Sequence, residues 1–267
     1  MLMRWIALSL LFISTHSVAD EVTFGIGAFY SSLPHYLGAE QNESYVVPLP
    51  YIHIEKEHYK VERNEFESFY EVAPNHYISV SAGGAIAVSS KDNRAREGMD
   101  DLAWVGEIGP SYQYFSFGNP TSDDYLYISP FIRKAYAFDG GDIDDIGSVY
   151  GVMLEAGQQI YQDGQHQVNL TGRFSTRFGS HAYNSYFYHV AEQFQTIDRL
   201  SFDADAGYLA SVFSLGLTYD NDWLWAGGFL RYYNYSHSAN QQSPLLRDNH
   251  NVALGFGFAW KFYSLKN

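Results

Sequence analysis

The last stretch of the chain alternates. In VALGFGFAWKF the positions Val252, Leu254, Phe256, Phe258, Trp260 and Phe262 are large and apolar, while Ala253, Gly255, Gly257 and Ala259 between them are small. Successive side chains of a strand point to opposite faces. A half-buried soluble strand would carry polar groups on its second face. The pattern instead predicts a strand whose bulky face meets lipid and whose small face turns into a lumen. The glycines leave room there for larger side chains from other strands, and a hydroxyl at Gly257 is expected to be tolerated. A second stretch shows both rows: Val168, Leu170, Gly172, Phe174, Thr176 and Phe178 alternate with Gln167, Asn169, Thr171, Arg173, Ser175 and Arg177. An arginine facing lipid at mid-membrane costs about 2–4 kcal/mol. Arg173 and Arg177 therefore point inward or sit near an interface.

The same alternation predicts strands at about 22–31, 43–55, 58–72, 76–89, 104–117, 124–138, 148–161, 165–178, 203–219, 222–236 and 250–263. Tight turns are expected at 73–75, 162–165 and 219–222, and longer polar connections at 90–103, 139–147, 179–202 and 237–249. Short turns at one end and long loops at the other are the signature of an outer-membrane barrel. Eleven segments conflict with the even strand number of bacterial single-chain barrels. The missing strand lies within 179–202, or 43–72 folds differently. The expected fold is all-β: a transmembrane antiparallel up-and-down β-barrel of about 12 strands, with 10 as the alternative.

Composition narrows the picture. The chain holds 23 Tyr, 19 Phe and 5 Trp, an 18% aromatic content that suits ring girdles at two membrane interfaces. Arg4, an apolar run from Trp5 to Ile13, and Ser17-Val18-Ala19 read as a secretory signal cleaved after Ala19. The expected organisation is a signal peptide at 1–19 and a single outer-membrane barrel at 20–267. The formal charge is −14, and loss of Arg4 makes it −15; such a chain repels nucleic acid. Cysteine is absent, which excludes disulfides and thiolate metal sites.

Phase along the strands also places charges inside. Glu107 is out of step with Trp104 and Ile108, and Arg133 with Ile128 and Ile132. Glu155 and Arg173 follow on the next two strands. Neighbouring strands lie about 4.8 Å apart, so Glu107, Arg133, Glu155 and Arg173 are expected to form one lumen ion-pair network. It reads either as a lumen filled by satisfied pairs or as the charged constriction of a pore. No catalytic residue, metal ligand or cofactor is expected: G-x-S-x-G and H-E-x-x-H are absent. Ser236-His237 are adjacent, which sends them to opposite faces of a strand. The acidic stretch DGGDIDDIG, Asp139 to Gly147, lacks the spacing and terminal Glu of an EF-hand and reads as a solvated loop.

Longer segments carry a resemblance. FGIGAFYSSLPHYLGAEQNESYVVPLPYI near the start holds a Gly-x-Gly strand, Tyr36-x-Gly38 and Pro48-Leu49-Pro50. SANQQSPLLRDNHNVALGFGFAWKF near the end holds Ser243-Pro244-Leu245 before a last strand ending in an aromatic, and RAREGMDDL and SYFYHV lie between. In order and spacing these resemble the MipA/OmpV family of outer-membrane proteins over nearly the whole mature chain. The sequence departs from that pattern at VERNEFESFYEV, where the family is glycine-rich, and in the tail after Phe262. The resemblance implies a non-enzymatic outer-membrane barrel in contact with lipid and lipopolysaccharide. The founding member is regarded as a scaffold joining a lytic transglycosylase to a murein-synthesising penicillin-binding protein, so those two enzymes are the implied partners. A small-solute channel, or a porin-like protein linked to adhesion or stress, is the alternative.

Overall fold

The computed structural model describes residues 21–56, 59–62 and 65–266; the expected signal segment at 1–19 lies outside the described residues. Twelve strands run in order: β1 (Glu21–Pro34), β2 (Asn42–Lys56), β3 (Tyr59–Glu62), β4 (Glu65–Ala73), β5 (His76–Ala85), β6 (Trp104–Phe117), β7 (Tyr125–Asp139), β8 (Asp142–Asp163), β9 (His166–Gly179), β10 (Gly207–Asp220), β11 (Leu224–Asn234) and β12 (His250–Lys266). Each pairs antiparallel with its sequence neighbours, and β1 also pairs with β12, so the ladder returns on itself. No helix among the described residues is long and apolar enough to cross a membrane.

The odd strand count resolves in the 43–72 region. The expected strand at 58–72 is two, β3 and β4, and β3 is only four residues long. The 179–202 segment holds no strand; it forms a short helix, α1 (His181–Tyr188), and a 3₁₀ turn at Glu192–Phe194. Ser180 starts α1 by accepting the Tyr183 N–H at 3.3 Å on its side-chain oxygen, which satisfies one of the free donors of the first turn. The 139–147 segment is also not a long loop. Gly140 and Gly141, both at positive φ, close a tight hairpin between β7 and β8, a backbone state glycine adopts without steric cost. Short connections therefore also occur at the end that carries the long ones.

Alternation sorts the two faces as hydrophobicity demands. On β12, Phe256 and Phe258 are 60% and 57% exposed on the outer wall, while Ala253 and Ala259 are fully buried. The small inner row does not leave free space, however. The rings of Phe29 and Phe229 pack over Gly255, and a Cβ at Gly257 would stand 2.6 Å from the Phe29 ring and 2.7 Å from the Ala28 carbonyl oxygen. A hydroxyl at Gly257 is thus not readily accommodated, because one of the atoms it meets is backbone.

The long connections do more than cover the mouth. Segments 35–41, 86–103, 180–206 and 235–249 fold together into an apolar cap that buries Tyr36, Leu102, Phe187, Tyr188, Tyr235 and Leu245 in one cluster with upper wall residues. Each such side chain contributes roughly 1.5–3 kcal/mol by leaving water. Several polar groups in the cap are satisfied internally, as burial favours, while Arg96 Nε, Asn184 Oδ1 and the Ser185 hydroxyl find no hydrogen-bond partner among the described residues. The Tyr36 hydroxyl donates to the Leu245 carbonyl at 2.8 Å, Tyr188 to that of Leu37 at 2.9 Å, and Ser243 to that of Tyr188 at 2.7 Å. Arg199 donates to the carbonyls of Ala95 and Glu97, both at 3.0 Å. Burial pushes the Tyr36 phenol up to about 12, so it remains a donor.

Candidate functional site

Directly beneath the cap, β6 turns Glu107 into the lumen, where its side chain is 1% exposed. A carboxylate buried this deeply is costly unless paired and hydrogen-bonded. Four hydrogen bonds meet that demand. Arg133 on β7 donates from Nη1 to Oε2 at 3.2 Å; Arg177 on β9 donates from Nη2 to Oε1 at 2.8 Å and Oε2 at 3.1 Å; Tyr183 on α1 donates its hydroxyl to Oε1 at 2.7 Å. The cross-strand neighbour of Glu107 on β7 is Ala135, whose small side chain leaves Arg133 a diagonal path. Gly83 on β5 lies against both groups, and a Cβ there would come 2.6 Å from Glu107 Oε2. Arg133 also donates from Nε and Nη2 to the Ser81 hydroxyl at 2.9 and 2.7 Å and lies 4.4 Å from the Phe131 ring centre.

Glu155 on β8 sits directly opposite Arg173 on β9 in the ladder. It accepts from Arg173 Nε and from the Tyr125 hydroxyl, the latter at 2.9 Å. The structure thus brings Glu107 to Arg133 and Glu155 to Arg173. Arg177, Tyr183, Tyr125 and Ser81 complete the two groups. Arg177 shares the inward phase of Arg173, so its signal was present in the alternation. Tyr183 had none, since a loop helix carries it back into the lumen. Burial, then the neighbouring Glu107, raise its phenol well above the ordinary value and keep it a donor.

Cavities lie at both ends of the lumen. An upper one of about 510 Å³ lies under the cap and is lined by Arg133, Arg173, Arg177 and Arg231 together with apolar residues. A lower one of about 600 Å³ opens at the short-turn end and is lined by Asp123, Asp220, Asp222, Lys261, His53 and Asn169 among other polar residues. There Lys261 bridges the Asp220 carboxylate at 2.5 Å and the Asn221 carbonyl at 2.9 Å.

The remaining sequence candidates take structural roles. Ser236 donates its N–H to Asn234 Oδ1 at 2.9 Å, next to an exposed His237 in a turn. In the acidic stretch, Asp145 pairs with Lys134 at 2.6 Å and accepts the Gly147 N–H at 2.9 Å. Among the described residues, no cluster of three His, Cys, Asp or Glu could hold a metal ion.

An antiparallel sheet with an apolar outer wall, a charged lumen and short turns opposite long connections defines an outer-membrane β-barrel protein. Residues 24–262 match the family described as MltA-interacting protein MipA, and the chain belongs to that family. No curated protein sequence matches it. Among solved structures, one described as a bacterial polysaccharide outer membrane secretin shares 9% identity over 92% of this chain and 100% of its own, with a TM-score of 0.44. The Pseudomonas putida toluene transporter TodX shares 10% over 91% and 89%, at 0.30. The Escherichia coli outer membrane protease OmpT shares 8% over 93% and 98%, at 0.27. Likeness at this level bears on neither chemistry nor partners.

Proposed function

We propose that this protein is a non-conducting barrel that serves as an interaction scaffold in the cell envelope, linked to murein-synthesising and murein-hydrolysing machinery. The observation that carries the reading is the cap: an apolar core closes the long-loop end and is tied to the wall through Tyr183 and Glu107. A lumen built this way has a stabilising role for its charges rather than a conductive one. In an outer membrane the short-turn end faces the periplasm, where murein enzymes work, and the polar rim around Asp123, Asp220 and Asp222 is the surface presented to them. The family description names interaction with MltA, which supports a lytic transglycosylase as one partner and leaves the penicillin-binding protein to the family resemblance. Residues Glu107, Arg133, Glu155 and Arg173 act in this reading as a permanent filling of the barrel, with no catalytic part. Photo-crosslinking from positions Asp123 and Asp222 in intact envelopes tests it. The expected result is a covalent adduct with a murein enzyme, lost when that enzyme is deleted. Adducts to none of the murein enzymes from either position would remove the scaffold reading.

A further inference from the structure

The outer wall is dented near the middle of β9. Cross-strand rows on the lipid side show how. One row reads Leu154 on β8, Phe174 on β9, Phe213 on β10 and Tyr232 on β11. The next outward row toward the short turns reads Leu126 on β7, Ala156 on β8, Gly172 on β9, Leu215 on β10 and Leu230 on β11. Bulk is missing from the centre of this second row, where Ala156 and Gly172 sit side by side. The result is a hollow of about 380 Å³ bordered by both rows. The rings of Phe174 and Phe213, 4.7 Å apart between centres, form its upper shelf. Arg173 and Ser214 also border it, but their polar ends turn into the lumen, to Glu155 and Arg231.

The backbone does not require glycine at 172. Its φ lies outside the left-handed region, and an added Cβ would meet Leu215 Cδ2 at 3.9 Å, an ordinary contact. Other wall glycines differ: a Cβ at Gly109 would stand 2.0 Å from the Ile132 carbonyl oxygen, and one at Gly151 1.9 Å from that of Thr176. A glycine inside a strand costs backbone entropy and contributes no packing. Where no neighbour forces it, such a glycine marks a place where a ligand comes close to the backbone. The lining sets the chemistry of that ligand. Leucine, alanine and phenylalanine side chains surround the hollow, which lies within the apolar band that faces hydrocarbon. A slender, flexible chain fits such a space and brings no polar group that would need a partner there. Polarity begins at the upper edge, where Tyr232 stacks on His250 with ring centres 6.0 Å apart. The volume is within the range of pockets that hold one small ligand.

We infer that the hollow at Ala156 and Gly172 holds one acyl chain of the lipid A of lipopolysaccharide as a resident ligand, with the lipid head on the side of Tyr232 and His250. A chain seated there differs from chains that only solvate the wall, because leucines flank it and the phenylalanine shelf lies above it. The polar edge faces the long connections, which in an outer membrane mark the external side, and lipopolysaccharide is the lipid of that leaflet. The inference goes beyond the scaffold reading and does not depend on it.

Native mass spectrometry tests it on the intact barrel, reconstituted in phosphatidylethanolamine vesicles containing lipid A and released into octyl glucoside. Heat-modifiable migration on gels verifies folding of every variant. The expected result is one lipid A retained per barrel. Gly172→Leu, which fills the hollow, should cut the retained fraction about tenfold or more, since several methylene contacts are lost together. Its migration should be unchanged and its unfolding midpoint no lower, because a strand glycine has been replaced. Ala156→Leu fills the hollow from the neighbouring strand and serves if Gly172→Leu does not fold. Phe256→Leu, on the lipid-facing wall of β12, should retain lipid A as the native chain does. Lipid A retained equally by all these variants, or by none including the native chain, would overturn the site. Phosphatidylethanolamine retained in its place would overturn the assignment to lipopolysaccharide. A dimer of the chain that disappears in Gly172→Leu would give the hollow to a second copy and overturn the lipid assignment.

Discussion

At the long-loop end the lumen is covered by aromatic and aliphatic side chains, and the carboxylate directly beneath them, Glu107, is held by two arginines and a tyrosine. At the short-turn end the lining is polar: three aspartates, one lysine, amides and hydroxyls around a cavity of about 600 Å³. Both ends hold ion pairs, and their surroundings make those pairs different objects. Glu107 is fully enclosed, so each partner is needed to offset its desolvation. The Asp220 side chain is 31% exposed and that of Lys261 10%, so water shares part of the work and the pair is worth less than the enclosed one. A charged pair in a barrel therefore reports how dry its half of the lumen is.

The contrast can be broken most forcefully at Glu107. Glu107→Gln leaves Arg133 and Arg177 facing each other without a counter-charge and is expected to cost about 3–5 kcal/mol, read as a lowered unfolding midpoint in detergent. Arg133→Gln should be destabilising too, and the double variant should lose clearly less than the sum of the singles. Strict additivity would show that the two side chains do not interact. Tyr183→Phe removes one hydrogen bond to an ionised group, about 1.5–3 kcal/mol, and should raise amide exchange in α1 while leaving the wall protected. At the other end, Lys261→Met should change stability by about 1 kcal/mol or less; a loss as large as that of Glu107→Gln would show that the lower half is as dry as the upper. The smallest effect lies within the cap, at Asp101. Its carboxylate accepts the Ser90 N–H at 2.6 Å, which holds it below the usual carboxylate range. A group depressed in the folded state stabilises above its unfolded value, and that stabilisation is lost as pH falls through the folded one. An NMR titration of the Asp101 carboxyl carbon should therefore show a midpoint below the ~3.9 of free aspartate, and a midpoint at or above that value would remove the bond.

What the sequence made legible was whatever period-two alternation controls. The faces of β6, β9 and β12 follow from it, and so does the inward placing of Glu107, Arg133, Glu155 and Arg173. Alternation is silent about the cap. Polar loop composition hid Tyr36, Phe187, Tyr188 and Leu245, which have no periodic neighbours to mark them as core. Tyr183 could not be foreseen beside Glu107, because a loop helix returns it to the lumen from 76 positions away. The division of 58–72 into β3 and β4 was hidden because β3 is too short to show a pattern. At Gly257 the alternation gave the correct face and missed the crowding, since the ring that fills it comes from Phe29 on β1.

The central claim is that the cap and the ion pairs beneath it close the barrel. Conductance of the purified protein in planar bilayers tests it most directly. The expected trace is free of steady openings for the native chain, with openings appearing only in a Glu107→Gln variant whose cap has loosened. Steady ohmic conductance of nanosiemens order from the native chain would contradict the account and make the lumen a solute path.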